Sequence, residues 1–506
     1  MDVKEKKKWT LMFFFASDNN LSSSMLYQLK SIKAAGFQVD TNVLVHFDPH
    51  ERGVPSMIFE VNKTEKEGQK QSRIGDDVDP IIRVLAGDQV EPAITDNQFN
   101  YSYSGDYDNL QAHEALTHFL DVSRTYYPAD QYMLFLVGHG LVVGRDAFLP
   151  DDNPNSGISL VDLSTILQNF STEIGMNGEV LELIGMHSCS MSAVEVAYQL
   201  KGTANYMMGS EGLSFVGAWP YRQMLQKIFC AIEKTKRERI EVPKLMKSLY
   251  ELCLHNSADF IFAGYSSDLC LCSLDPRRVE ALTGPMEMLT GALRAGLDDD
   301  RSKELILLAH WKSQSYFQEL YTDLYDFCLC LKDSCSESDP TQRAMKVACQ
   351  SVIGVLTPET SDGEGVGPIV QADFFGPDCQ YSYGLSVYFP WTRPVEDVHE
   401  HVIRNYQSYV FVTELGGGSW LQFLDAYFEK TLRPKREIAL NCEVLKFATL
   451  IYKPITSPSA APEYTSTALT GKVSPADASG YSGYSFIKNY SRDFSITERA
   501  LKVFET

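Results

Sequence analysis

Gln131-Tyr132-Met133-Leu134-Phe135-Leu136-Val137-Gly138-His139-Gly140 is a run of apolar residues, too short for a helix, that ends in two glycines flanking a histidine. Such a run suits a strand buried on both faces of a parallel sheet. The stretch Val180-Leu181-Glu182-Leu183-Ile184-Gly185-Met186-His187-Ser188-Cys189-Ser190 repeats the pattern, with Cys189 fifty residues after His139. Ligands of open α/β sheets bind outside the carboxyl ends of the strands, so neighbouring strands deliver His139 and Cys189 to one edge. A cysteine attacks as thiolate, and a nearby imidazole supplies the base or the stabilising charge. The pair reads as a catalytic dyad.

Outward from this pair, strands and helices alternate. Trp9 to Ala16 reads as a strand, and Asn20 caps a helix running to about Ala35. Val43 to Phe47 and Met57 to Val61 read as strands, and the polar stretch from Lys63 to Tyr107 as a surface excursion. A helix over Leu110 to Tyr126 is stopped by Pro128 ahead of the His139 strand. Leu141 to Gly157, rich in Asp, Asn, Gly and Pro, reads as a loop, followed by a helix from Ser159 to about Phe170. After the Cys189 strand come a helix over Ser192 to Leu200 and a short strand over Tyr206 to Met208. This alternation predicts an α/β fold, a mainly parallel sheet with helices on both faces, over about residues 1–235.

Beyond residue 235 the texture is mixed and largely helical, from Val242 to His255 and Pro276 to Leu331, with strand-like pieces at Ile261 to Ser273 and Gly384 to Pro390. Residues 236–433 are expected to pack on the first domain, and 434–506 to form a partly irregular extension rich in Ser, Thr, Ala, Gly and Tyr.

A net charge of -21 over 506 residues argues against nucleic-acid binding through a general basic surface. No segment approaches the roughly 20 apolar residues of a membrane span. Lys4-Glu5-Lys6-Lys7-Lys8 and the apolar run after it imitate a signal peptide, but Ser17-Asp18-Asn19-Asn20 is a poor cleavage site. The expected location is the cytoplasm, unless a leader was trimmed. Eleven scattered cysteines do not make a disulfide framework. Cys270 and Cys272, or Cys328, Cys330 and Cys335, lack a CxxC pair and a nearby histidine, so no metal site is expected.

The chain resembles the clostripain family of cysteine peptidases, which has a caspase-like fold. The resemblance is carried by Ala16-Ser17-Asp18-Asn19-Asn20-Leu21, Gly138-His139-Gly140 and Ser188-Cys189. It continues through Ser210-Glu211-Gly212, Gly217-Ala218-Trp219-Pro220 and Tyr383-Gly384-Leu385-Ser386-Val387-Tyr388-Phe389-Pro390. It implies a cysteine endopeptidase with His139 as catalytic histidine and Cys189 as nucleophile, acting on peptides or proteins. The backbone N–H groups of Gly140 and Cys189 are then the oxyanion donors. It also implies self-cleavage in the loop after the histidine, where Arg145 offers a basic cut site. No cofactor is required, although calcium stimulation occurs in the family; Asp146, Asp151, Asp152 and Asn153 supply oxygens, but not at EF-hand spacing.

One position departs from the family pattern. Members that cleave after arginine or lysine carry an aspartate two residues before the cysteine, where this chain has His187. A neutral imidazole cannot make the bidentate pairing that favours guanidinium. Basic P1 preference is therefore expected to be weakened, with polar or acidic P1 residues accepted at low pH once His187 is charged. Glu211 is a candidate substitute acid, and Trp219 a substrate platform or a core residue. The alternative from another class is a catalytically silent caspase-like protein that binds peptides or partners; a metal or thiol-redox protein ranks behind both. The sequence leaves the oligomeric state open.

Overall fold

In strand β1 (Lys7–Phe15) the alternate residues Trp9, Leu11, Phe13 and Phe15 enter one buried cluster, and Met12 and Phe14 another. Both faces of the strand are covered, which is why its sequence reads as an uninterrupted apolar run. The strand Ala129–Val137 behaves alike, with Met133, Phe135 and Val137 on one side and Tyr132, Leu134 and Leu136 on the other.

The computed structural model describes residues 3–36, 38–48, 50, 56–61, 101–102, 110–140, 148–152, 155–234, 240–257, 265–317, 320–358, 365–391, 405–415 and 419–431. After β1 come α1 (Ser22–Lys33), β2 (Thr41–Phe47), β3 (Met57–Glu60), β4 (Tyr101–Ser102), α2 (Ala112–Tyr126) and β5 (Ala129–Val137). Then follow β6 (Phe148–Asp152), β7 (Asn155–Ile158), α3 (Leu160–Gly175), β8 (Val180–His187), α4 (Val194–Leu200) and β9 (Tyr206–Gly209). α5 (Tyr221–Lys234), α6 (Val242–Ser257) and β10 (Ser267–Ser273) continue the chain. It closes with α7 (Pro276–Glu280), α8 (Thr283–Gly296), α9 (Asp300–Lys312), β11 (Ser315–Tyr316), β12 (Tyr321–Asp323), α10 (Leu324–Ser334), α11 (Pro340–Leu356), β13 (Ile369–Phe375), β14 (Ser386–Tyr388), α12 (Val410–Glu414) and α13 (Ser419–Thr431). Arg145, Asp146, Asn153, most of the 63–107 excursion and the 434–506 extension lie outside the described residues.

Among the described residues, nine strands form one sheet in the order β13-β10-β9-β8-β5-β1-β2-β3-β4. The five central strands, β2 to β9 in that row, are parallel, and both edges are antiparallel. Helices α1, α5 and α6 cover one face, and α2, α3 and α4 the other. This is the predicted α/β, caspase-like arrangement. The sheet runs across residue 235, because β10 and β13 from the C-terminal region extend it next to β9. The helices α8 to α11 and α13 join the α2–α4 side in a single core.

Two local expectations change. The stretch read as a loop, residues 141–157, contains the β6–β7 hairpin, whose Phe148 and Ile158 are fully buried. Asn20 does not cap α1: the position before the helix is Leu21, with no side-chain cap, and the Asn20 amide is used elsewhere. Ser159 does cap α3, its Oγ accepting the Asp162 N–H at 2.9 Å.

The stretch from Tyr383 to Pro390 locks the C-terminal region to the sheet through buried carboxyl groups. Gly384 donates its N–H to Glu211 Oε2 at 3.0 Å, and Tyr388 its N–H to Glu195 Oε1 at 2.8 Å. Ser192 Oγ donates to the Gly384 carbonyl at 2.6 Å. Gly384 has φ +112°, and a Cβ there would lie 2.8 Å from Ala372 Cβ and 3.0 Å from Cys270 Sγ, so conformation and space both require glycine.

Candidate active site

Register brings the site together. Phe15 pairs with Phe47 and with Val137, and Val137 pairs with His187, so β2, β1, β5 and β8 end in one row. The segments that follow, Ala16–Asn20, Gly138–Gly140 and Ser188–Ser190, therefore emerge at the same edge. Gly138 N–H donates to the His187 carbonyl at 3.3 Å, carrying the pairing one residue past the strands. A Cβ on Gly140 would sit 1.7 Å from the Cys189 carbonyl oxygen and 2.8 Å from its nitrogen, so the glycine after His139 lies directly on the cysteine backbone.

His139 is partly buried, and its Nε2 lies 2.6 Å from Asn20 Oδ1. With that oxygen as acceptor, Nε2 carries the proton and Nδ1 keeps a lone pair for base chemistry. Burial lowers the imidazole below its ordinary range, with Asp152 opposing. Asn20 is the site residue that sequence reading assigned another role. Its cue was position, at the end of the loop that leaves the neighbouring strand, and helix-capping propensity masked it.

Cys189 is partly buried, and its Sγ accepts the Ser214 N–H at 3.4 Å. Burial raises the thiol above its ordinary value, the bond to Ser214 opposes that, and the charge of Asp268 adds to it. Both shifts favour the neutral forms, thiol and imidazole. Ser190, immediately after the cysteine, has φ +57°, a conformation that costs a non-glycine residue of order 1–3 kcal/mol and clusters at functional sites. It is held by its N–H donated to the Gly212 carbonyl at 3.1 Å.

The three pocket residues expected from the sequence are buried beneath this edge. His187 is 3% exposed; its Nδ1 lies 2.7 Å from Tyr221 Oη, its Nε2 2.8 Å from the Phe215 carbonyl, and its ring stacks on Trp219 at 4.9 Å and 7°. Nε2 must donate to the carbonyl, so Nδ1 accepts from the tyrosine, and the ring is neutral. Burial pushes His187 down to about 4, and both ring nitrogens are bonded inside the protein, so the charging expected at low pH is displaced to strongly acid conditions. Trp219 is a core residue at 2% exposure.

Glu211 is fully buried. Burial, with the negative charges of Asp323 and Asp268 nearby, raises it well above the ordinary carboxylate range. A fully buried acid whose neutral form is favoured offers no exposed charge to a guanidinium, so the structure does not present Glu211 as the substitute acid. Its Oε2 serves the Gly384 N–H instead.

Among the described residues there is no group of three or more His, Cys, Asp or Glu placed to hold a metal ion. Asp151 is buried, and the Asp152 N–H donates to the Asp18 carbonyl at 2.9 Å. The ten cysteines among them are free thiols. No described helix is long and apolar enough to cross a membrane.

The mainly parallel sheet covered by helices on both faces, with a largely helical C-terminal region, is a caspase-like fold. The pattern that defines the clostripain family matches residues 13–419, and the chain belongs to that family. It is a cysteine peptidase. It is 21% identical to clostripain of Hathewaya histolytica over 488 residues, covering 84% of this chain and 88% of that protein. The secreted C11 cysteine protease "iotapain" of Bacteroides thetaiotaomicron aligns over 81% of this chain and 100% of its own, at 12% identity and TM-score 0.50. A zymogen C11 protease of Parabacteroides distasonis, described as inactive, aligns over 82% and 99%, at 16% identity and TM-score 0.48.

Proposed function

We propose that the protein is an endopeptidase that cleaves peptide bonds through Cys189 and His139, without a dominant basic P1 preference. The observation that carries the dyad is the contact of Gly140 with the Cys189 backbone, which joins the histidine loop to the cysteine turn. The Cys189 sulfur attacks the scissile carbonyl while its proton passes to His139 Nδ1, because Nε2–H is held by Asn20. The tetrahedral oxyanion is taken by the N–H groups of Gly140 and Cys189. His139 then protonates the leaving amine, and a water deprotonated by the same ring hydrolyses the thioester. Since both shifts favour the neutral forms, proton transfer accompanies attack in this reading.

The P1 reading rests on His187 and Glu211. One is a neutral ring with both nitrogens bonded internally, the other a buried acid, raised well above the ordinary carboxylate range and bonded to backbone. Neither supplies the carboxylate that makes arginine binding strong. A desolvated charge pair that has lost one partner typically forfeits about 2–5 kcal/mol, a discrimination of thirty-fold or more at ~1.4 kcal/mol per tenfold.

The test is a peptide-library cleavage profile of the wild type beside Cys189→Ala and His139→Ala. The wild type is expected to cut with a spread of P1 residues, and both variants to lose hydrolysis while keeping the thermal midpoint. Full activity in Cys189→Ala would remove the nucleophile; strict cleavage after arginine would remove the P1 reading. A wild type that binds library peptides and cuts none would favour the silent, peptide-binding alternative.

A further inference from the structure

We propose that Asp268, on β10, is a positioning residue for the nucleophile: it clamps the segment Ser210–Ser214 against the Cys189 turn. The inference rests on Cys189 being the nucleophile.

Asp268 is buried, two strands away from the one that delivers Cys189. Its Oδ2 accepts the Glu211 N–H at 2.6 Å and its Oδ1 the Gly212 N–H at 2.9 Å, while its own carbonyl accepts from Ser210 Oγ at 2.9 Å. The segment so held touches the cysteine turn at three points. Ser210 and Gly212 carbonyls accept the N–H groups of Ser192 and Ser190, at 3.0 and 3.1 Å, and the Ser214 N–H reaches Cys189 Sγ at 3.4 Å. The clamp therefore supports both the positive φ of Ser190 and a backbone donor on the reacting sulfur.

The chemistry of the clamp calls for a carboxylate. Two adjacent N–H groups need two acceptors on one short side chain, and an ionised aspartate is acceptor-only on both oxygens. Asparagine would turn an NH₂ toward one of those donors. Space is equally tight: a Cβ on Gly212 would lie 2.9 Å from Asp268 Oδ1 and 3.0 Å from Tyr316 Cδ1.

Two roles for Asp268 predict opposite signs. As a bare negative charge it raises the Cys189 thiol, so removing the charge would lower it. As a clamp it keeps the Ser214 N–H on the sulfur, a bond that lowers the thiol, so breaking the clamp would raise it.

The experiment compares wild type, Asp268→Asn and Cys189→Ala as full-length chains. The pH dependence of iodoacetamide labelling at Cys189 is followed by mass spectrometry of that peptide, alongside kcat and KM on a peptide taken from the library profile. For Asp268→Asn we expect kcat to fall by about ten- to a hundred-fold, the size of loss that ångström-scale misplacement brings, with KM little changed. The labelling midpoint should move to higher pH. Unchanged kcat, or a midpoint that stays or falls, overturns the clamp. If Asp268→Asn does not fold, Gly212→Ala disturbs the same contact while keeping Asp268, and is read by the same two signs. Activity surviving in Cys189→Ala would instead overturn the nucleophile assignment itself, and the proposal with it.

Discussion

His139 Nε2 lies 2.6 Å from the Oδ1 of Asn20, a residue 119 positions earlier in the chain. The contact links the loop after β1 to the loop after β5, across the point where the strand order turns from β2 on one side to β5 and β8 on the other. Such a switch point is where a parallel sheet leaves room for a site.

Asn20→Ala should leave the fold intact and lower kcat/KM by about 10- to 100-fold, the range for a misoriented catalytic group. Asn20→Asp should retain the orientation but add a negative charge, which stabilises the imidazolium. Since the base must be neutral, the acid limb of the kcat/KM profile should then move to higher pH. A profile for Asn20→Asp that overlays the wild type would rule out Asn20 as the histidine's partner.

Gly140→Ala should be among the most damaging of single-methyl changes. Its Cβ would fall 1.7 Å from the Cys189 carbonyl oxygen, so the two loops must separate. Activity is expected to drop at least about 100-fold, because ångström shifts at reacting atoms have that effect. An active Gly140→Ala enzyme would mean that the loops are further apart than described.

His187 makes stability pH-dependent. Its folded value, about 4, is depressed below the ordinary 6.5 by burial, so its contribution is present in full above about 6.5 and is lost as pH falls toward 4. At ~1.4 kcal/mol per unit this amounts to as much as ~3 kcal/mol. The raised acid Asp268 acts in the opposite sense, favouring the folded state as pH falls, so the comparison must be made within one background. In Cys189→Ala protein, adding His187→Phe should lower stability at pH 7, because the Tyr221 and Phe215 bonds are lost, and flatten its decline between pH 6.5 and 4. Denaturant midpoints across that range would show it; an unaltered slope would contradict the assignment.

Glu195 tests the lock between α4 and the C-terminal region. Its Oε1 accepts from the Tyr388 N–H at 2.8 Å and Tyr406 Oη–H at 2.6 Å, and burial raises its pKa. Glu195→Gln keeps an acceptor and should cost less than about 1 kcal/mol, whereas Glu195→Ala leaves buried donors unmet, at about 1–3 kcal/mol. Equal thermal midpoints for the two variants would show that the bonds contribute little.

By itself the sequence determined the layered fold and the two ends of the proposed dyad. Apolar runs such as Leu134–Val137 and Leu183–Met186 read as strands covered on both faces, the first followed by Gly138 and the second by His187 and Ser188. That information is local, and it fixed His139 and Cys189 at strand ends. The tertiary structure decided what surrounds them, because those partners come from distant segments whose register the sequence does not write. Asn20 looked like a helix cap until β1 was set beside β5. His187 looked like a pocket residue because it stands two residues before the cysteine, and Glu211 because it follows the next strand. Packing turned the first onto Trp219 and Tyr221 and the second into a buried carboxyl cluster with Asp268 and Asp323. A polar side chain taken out of water must find a partner, and which partner lies within 3 Å is settled only when the sheet closes.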